Sequence, residues 1–291
     1  MREPDRLQRF LFESTRVRGE LVSLDETFRA AIARHDYPAP VRSLLGEAMA
    51  ASALLSSTIK FDGGSLTLQV QGDGPVRLLV AQCTSDRHLR GLIRSNGAVA
   101  PGPLPSLVGA GRLAITIDPG GDRERYQGIV ELAGDTLARS IEGYFAQSEQ
   151  LDTRLWLSAD ETHAAGMLLQ KLPGDEADPD LWNRVNHLGA TLTPGELLEL
   201  STREILRRLF HEEDVRLFRP EPVAFRCGCA RTTIESVLRV FGREEAESIL
   251  RERGEIEVTC EYCLDRYAFD PIDVATLFSA TPAAPAGDTR H

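Results

Sequence analysis

The spacing of hydrophobic and polar positions changes several times along this chain, and each change predicts an element. Over residues 15–22, Thr15, Val17, Gly19 and Leu21 share one side and Arg16, Arg18 and Glu20 mainly the other, the period of a half-buried strand. Ser23 and Glu26 have capping-box spacing, and Phe28, Ala31 and Ile32 then give a helix an apolar stripe that Pro38 and Pro40 stop. Across residues 41–59, Leu44, Leu45, Ala48, Met49 and Leu55 predict the longest apolar helix of the chain. The period then returns to two. Leu66, Leu68 and Val70 alternate with Thr67, Gln69 and Gln71, Gly72-Asp73-Gly74-Pro75 turns the chain, and residues 76–81 and 89–94 return. Residues 113–117 and 126–132 predict a further strand pair, Asp135 caps a helix carrying Leu137, Ile141, Tyr144 and Phe145, and residues 155–157 and 167–172 close the set. Hairpin-linked strands with helices grouped beside them predict an α+β fold, an antiparallel sheet with helices over residues 1–172.

The pattern breaks after Leu172. Residues 173–180 are polar, with two prolines and a glycine, and mark a domain boundary. A helical linker is expected over 173–225. In it Leu181, Trp182, Val185 and Leu188 form a short helix, and Thr193 with Glu196 caps a second helix that has Pro194 at its first position. That second helix is expected to run unbroken over 194–210, carrying Leu197, Leu198, Ile205, Leu206, Leu209 and Phe210 on a stripe too broad to face water. It must lean on a neighbour, either permanently on the first domain or conditionally.

Cysteine placement changes the picture most. Four of the five cysteines lie in two close pairs, Cys227-Gly-Cys229 and Cys260-Glu-Tyr-Cys263, thirty residues apart. Thiolates are strong ligands for soft or borderline cations, and zinc favours four ligands in a tetrahedron, so these four are expected to hold one Zn²⁺ in a small module over 226–279. Two readings of the site stay open on spacing alone: a static clip, or a switch that releases the metal when its thiolates are oxidised. Between the pairs, Ile234, Val237, Leu238 and Phe241, then Ala246, Ile249 and Leu250, predict two short helices; Ile256 and Val258 lead by strand into Cys260, and Tyr267 and Phe269 lead out of Cys263. Arg226, Arg231 and Arg266 lie near enough in sequence to soften the charge of four thiolates. Cys83, at the end of a strand, is expected to be a buried bystander. The last dozen residues, 280–291, have the composition of a disordered tail.

The net charge of −11 argues against nucleic acid as a partner, and residues 226–279 are themselves acidic, with seven Arg against eleven Asp and Glu. No apolar leader and no run approaching a membrane span is apparent, which predicts a cytoplasmic protein whose thiols are kept reduced. There is no G-x-S-x-G, P-loop or H-E-x-x-H pattern to nominate a catalytic site.

Taken together, the two cysteine pairs, the stretch Ile256-Glu-Val-Thr-Cys-Glu-Tyr-Cys263, Tyr267-Ala-Phe-Asp270, Gly143-Tyr-Phe-Ala-Gln-Ser-Glu-Gln150, Ala165-Gly-Met-Leu-Leu-Gln-Lys-Leu-Pro173 and Thr193-Pro-Gly-Glu-Leu-Leu198 resemble the redox-regulated chaperone family of heat-shock proteins near 33 kDa. The likeness covers nearly the whole chain; Ala230-Arg-Thr-Thr233 departs from the Ser-Arg-Glu-Arg continuation typical of that family, without touching a ligand. The resemblance implies an ATP-independent holdase, inactive when reduced and zinc-bound, active when oxidised. It implies disulfides Cys227–Cys229 and Cys260–Cys263 in the active form, although four cysteines allow three pairings. It implies unfolded or oxidatively damaged proteins as clients, and leaves open whether the oxidised protein is a homodimer. Leu198, Ile205, Leu209 and Phe210 are the candidate client-binding stripe, expected to be docked on the first domain and steadied by the zinc module until oxidation. Two rival functions remain: a constitutive zinc-stapled binding module, and a thiol–disulfide exchange enzyme. Against the second, the C-x-x-C follows an acidic strand rather than opening a helix, where a dipole would activate a thiol.

Overall fold

The first strands of the chain build the sheet onto which its later helices fold. In the computed structural model, which describes residues 4–13, 15–59, 63–121, 123–174 and 178–279, β1 (Arg6–Phe12) pairs antiparallel with β2 (Val17–Leu24) so that Phe10 faces Gly19. A Cβ at position 19 would lie 2.1 Å from the Phe10 ring, so only glycine lets the ring cross there. β1 escapes a simple alternation rule because Leu7 buries into one core while Phe10 and Phe12 bury into another.

α1 (Glu26–Ile32) does not begin with the Ser23–Glu26 box. Ser23 still belongs to β2, and the free N–H groups of Asp25, Glu26 and Thr27 donate to the Asp5 carboxylate at 2.9–3.0 Å. A side chain twenty residues upstream replaces the local cap. α2 (Ala39–Thr58) has thirteen of its twenty residues buried, which makes it a central helix rather than a surface one.

A second antiparallel set follows: β3 (Ser65–Gly72), β4 (Val76–Thr84) and β5 (His88–Ser95), then the short α3 (Leu104–Val108), then β6 (Gly111–Asp118) and β7 (Tyr126–Glu131). α4 (Leu137–Tyr144) is capped by the Thr136 hydroxyl, which accepts the Arg139 N–H at 3.2 Å; Asp135, the residue expected there, instead takes the Leu104 N–H on its carbonyl at 2.8 Å. After a π-helical turn at Phe145–Glu149, β8 (Thr153–Ala159) and β9 (Ala164–Lys171) return to the first sheet, where β9 pairs with β2.

Next come α5 (Leu181–Gly189), α6 (Pro194–Glu199), α7 (Thr202–Phe210), β10 (Val215–Leu217), β11 (Glu221–Pro222) and β12 (Ala224–Phe225). The sheets run β10-β1-β2-β9-β8, with β11 also on β1, and β12-β5-β4-β3-β6-β7; β12 meets β5 in parallel. α2 packs on strands of both sheets and forms the larger core with them. On the other face of the first sheet, α5–α7 close a second core around Phe10, Phe12, Leu21, Met167 and Leu169.

The helix expected over 194–210 is two helices. Leu200 is extended (φ −83°, ψ 150°), and Ser201 starts α7 with a capping box of its own, its hydroxyl accepting from the Glu204 N–H while the Glu204 carboxylate accepts from the Ser201 N–H. The Thr193–Glu196 box at the start of α6 forms as expected. Residues 173–225 are part of the first of two compact units, which divide between Arg226 and Cys227.

The second unit contains α8 (Arg231–Phe241), α9 (Arg243–Arg253), the hairpin β13 (Ile256–Thr259) with β14 (Arg266–Phe269), and α10 (Pro271–Ser279). Its core is small: Leu238, Ala246, Ile256, Phe269, Val274 and Leu277 are the buried apolar residues. The tail expected over 280–291 lies outside the described residues.

Candidate metal centre

The two cysteine pairs arrive at one place by different local means. Cys227 and Cys229 lie on extended chain immediately after β12, while Cys260 and Cys263 flank the tight turn of the β13–β14 hairpin. That turn is closed by the Leu264 N–H donating to the Cys260 carbonyl at 2.8 Å and the Cys260 N–H donating to the Asp265 carbonyl at 2.9 Å, with Leu264 at φ 56°. The folded-back knuckle points both sulfurs of the second pair toward the first.

All four Sγ atoms lie within 4.8 Å of one another, the only such gathering of metal-ligating side chains among the described residues. Between the pairs, Cys227 lies 3.5 Å from Cys260 and Cys229 3.2 Å from Cys263, and all four cysteines are free thiols. An all-sulfur set this compact can hold a metal ion.

The electrostatics of the cluster are uneven. Burial pushes the Cys227 thiol up to about 11 and raises Cys263 further, so these two resist losing their protons without a positive neighbour, while at Cys229 burial is outweighed by hydrogen bonds from Tyr267 and the other cysteines, which lower it. Two of the three arginines expected to supply that positive charge have their side chains engaged elsewhere. Arg231 donates to Asp273 at 2.6 Å and to the Ala268 carbonyl at 2.8 Å and lies over the Phe269 ring at 4.3 Å, and Arg266 pairs with Glu257 at 3.4 Å. Arg226 belongs to the first unit, where its N–H donates to the Leu89 carbonyl. Sequence reading gave Tyr267 only a place in a strand; its hydroxyl also donates to the Cys229 carbonyl at 3.3 Å and ties the first pair to the hairpin. A hydroxyl-bearing ring four residues after a ligand was the available signal.

The remaining candidates lie in the first unit. Ile205, Leu209 and Phe210 are 2 % exposed in the core on the outer face of the first sheet, with the Phe210 ring edge-on to Phe12 at 5.1 Å; Leu198 is half-buried at its margin. Cys83 is fully buried in β4, accepts a hydrogen bond from Ser56 at 3.2 Å, and has its thiol pushed up to about 11 by burial.

A family model described as "Hsp33 protein" matches residues 5–270. The 33 kDa chaperonin of Nitrosococcus oceani is 54 % identical over 291 residues, the full length of both chains. That of Methylobacillus flagellatus is 46 % identical, again over the full length of both. The crystal structure of the 33 kDa chaperonin (heat shock protein 33 homolog) from Thermotoga maritima superposes with a TM-score of 0.80 at 25 % identity, covering 94 % of this chain and 98 % of that one.

Proposed function

The chain belongs to the Hsp33 chaperone family, and from that premise we propose that it is a redox-regulated, ATP-independent holdase of the cytoplasm rather than an enzyme. In this reading it is silent while Cys227, Cys229, Cys260 and Cys263 hold one Zn²⁺, and when they are oxidised it binds unfolding proteins. The observation that carries the reading is the four-sulfur cluster in a unit with so small a core. Sulfurs about 2.3 Å from a shared zinc ion would stand about 3.8 Å apart; two of the observed separations, 3.2 and 3.5 Å, are somewhat shorter, and all four sulfurs lie within 4.8 Å of one another. Bound zinc would cross-link the two pairs and contribute on the order of 10–16 kcal/mol of apparent binding energy. That matches or exceeds the roughly 5–15 kcal/mol total stability of an ordinary domain, so residues 227–279 depend on the cluster.

Oxidation removes the ligands and their charge together. Each disulfide forms as two thiolates give up two electrons, so closing Cys227–Cys229 and Cys260–Cys263 takes two equivalents of a two-electron oxidant such as peroxide, which is reduced to water. With its cross-link gone, the chain from Cys227 onward loosens. Back from Cys227 the chain is held by the short strands β12, β11 and β10, by Val223 buried in the larger core with its N–H on the Asp5 carbonyl at 2.9 Å, and by ion pairs of Arg9 and Arg87 with Glu221 at 2.7 and 3.0 Å and of Arg216 with Glu13. Loosening spreads along that path to α7, whose apolar stripe then serves clients.

The test follows metal release, thiol count and suppression of client aggregation together while reduced protein is oxidised with peroxide or hypochlorite. The three are expected to move in step, with four thiols lost per zinc released. Retention of zinc with unchanged exposed apolar surface would support a constitutive stapled module, and catalytic turnover of a disulfide substrate would support an exchange enzyme. Sedimentation of the oxidised protein tests the homodimer.

A further inference from the structure

A pocket of about 250 Å³ opens in the first unit between α2, the turn into α3 and the start of α4. Leu44, Leu104, Leu107 and Leu137 supply apolar wall, and two carboxylates share the space, Glu47 from α2 and Asp135 from the residue pair that leads into α4. The other lining groups are prolines, a glycine and the hydroxyls of Ser43 and Thr136, so exposed Asp135 is the one ionisable residue that another element brings to the lining beside Glu47.

Glu47 is the anomaly. It is half-buried on a helix whose buried positions are Val, Leu, Gly, Ala, Met and Ser, and it has no hydrogen-bond or ion-pair partner among the described residues. Desolvation in the pocket wall pushes its carboxyl up to about 7. A carboxylate partly withdrawn from water with no partner gives the helix nothing that Gln or Leu would not. The two buried acids, by contrast, have partners: Glu20 accepts from Ser57, and Glu142 accepts from Arg139, Arg154 and the Leu155 N–H.

A partner for Glu47, which has none among the described residues, would be a cation small enough for the pocket and apolar along its length. We propose that this pocket binds a primary-amine or guanidinium cation on a short apolar stem, with Glu47 as its counter-ion and Asp135 as a second acceptor. The volume, equal to roughly eight waters in the liquid, admits a lysine- or arginine-sized group. The net charge of −11 draws such cations toward the surface. The pocket lies in the first unit and uses none of the cysteines, so this inference holds or fails independently of the redox reading.

Linkage makes it testable. A cation binds the ionised form of Glu47, and between pH 6 and pH 8 a carboxyl titrating near 7 goes from about one-tenth to about nine-tenths ionised. Calorimetry on full-length, reduced, metal-loaded protein with n-butylguanidinium should show one saturable site, about tenfold tighter at pH 8 than at pH 6. n-Butanol, its neutral counterpart, should not bind. Glu47→Gln, of nearly equal volume, should remove the pH dependence and weaken binding at pH 8 at least tenfold, and Asp135→Asn should weaken it several-fold. In the parent protein, carbon-13 NMR should show the Glu47 carboxyl pKa falling when n-butylguanidinium saturates the site, a readout independent of whether any variant folds. A blocked peptide with one arginine distinguishes the sources. Binding equal to that of n-butylguanidinium means the site takes basic side chains of polypeptides, and exclusion of the peptide means it takes free small cations. The proposal is overturned if n-butylguanidinium shows no saturable binding at pH 8, if folded Glu47→Gln binds as the parent does, or if the Glu47 carboxyl does not respond.

Discussion

Cys263 illustrates how much a single residue inherits from spacing. Its partners, Cys227, Cys229 and Cys260, were legible because paired thiols thirty residues apart have few other uses in a chain of this kind, and the four sulfurs do meet. A Cys260→Ser, Cys263→Ser double variant should lose zinc, measured as metal per chain in reduced protein; full retention would refute the assignment. Cys83→Ala should leave zinc content and oxidative activation unchanged, since that thiol is sealed in a core and held protonated. Buried acids were not legible, because their environment is made by distant elements. Glu20 was expected on the polar side of a half-buried strand, but that side is buried too, and burial pushes it up to about 7 against the pull of Ser57, Arg18, Arg87 and Arg9. Its folded pKa exceeds the unfolded value, so its contribution to stability is complete below about pH 4.5 and is lost as pH rises through about 7, on the order of 3 kcal/mol. Urea unfolding of the first unit should therefore shift to lower midpoint between pH 5 and pH 8, and Glu20→Gln should reduce that shift. An unchanged midpoint would mean Glu20 stays ionised.

At the scale of elements, α2 was legible from composition and α7 only in part. The apolar stripe predicts burial correctly, but the break at Leu200 is set by a Ser-x-x-Glu box that a continuous stripe hides. This changes how the stripe is tested. Glu204 has an exposed side chain, yet it caps α7 and is therefore no neutral control. Arg203 is exposed and outside the box, and Arg203→Gln serves instead. Ile205→Glu or Leu209→Glu removes burial worth about 1.5–3 kcal/mol and adds a charge where none can be solvated. Such variants should suppress aggregation of a heat-denatured client while all thiols stay reduced and zinc stays bound, and Arg203→Gln should not. Charged variants that fold, keep zinc and remain inactive would move the client surface elsewhere. β1 and the Asp5 cap were illegible for a related reason: the strand buries both faces, and the cap comes from across the fold.

The whole molecule divides where its chemistry does. A chelator added under reducing conditions should unfold residues 227–279, seen as collapse of their amide signals in NMR, while the two sheets before Arg226 keep theirs. Uniform loss of signal would mean the first unit also depends on the metal. No helix among the described residues is long and apolar enough to cross a membrane.

The pairing of β2 with β9, and of β1 with β10 and β11, has a consequence for the protein's own birth on the ribosome. β2 emerges early, yet its neighbour β9 begins at Ala164 and the helices that cover the outer face end at Phe210. At about 5–20 residues per second, the apolar sides of Phe10, Phe12 and Leu21 wait roughly ten to forty seconds before their cover is fully synthesised. For that interval the nascent chain exposes apolar surface of its own, and this stretch of the first sheet stays open to wrong partners until its cover arrives.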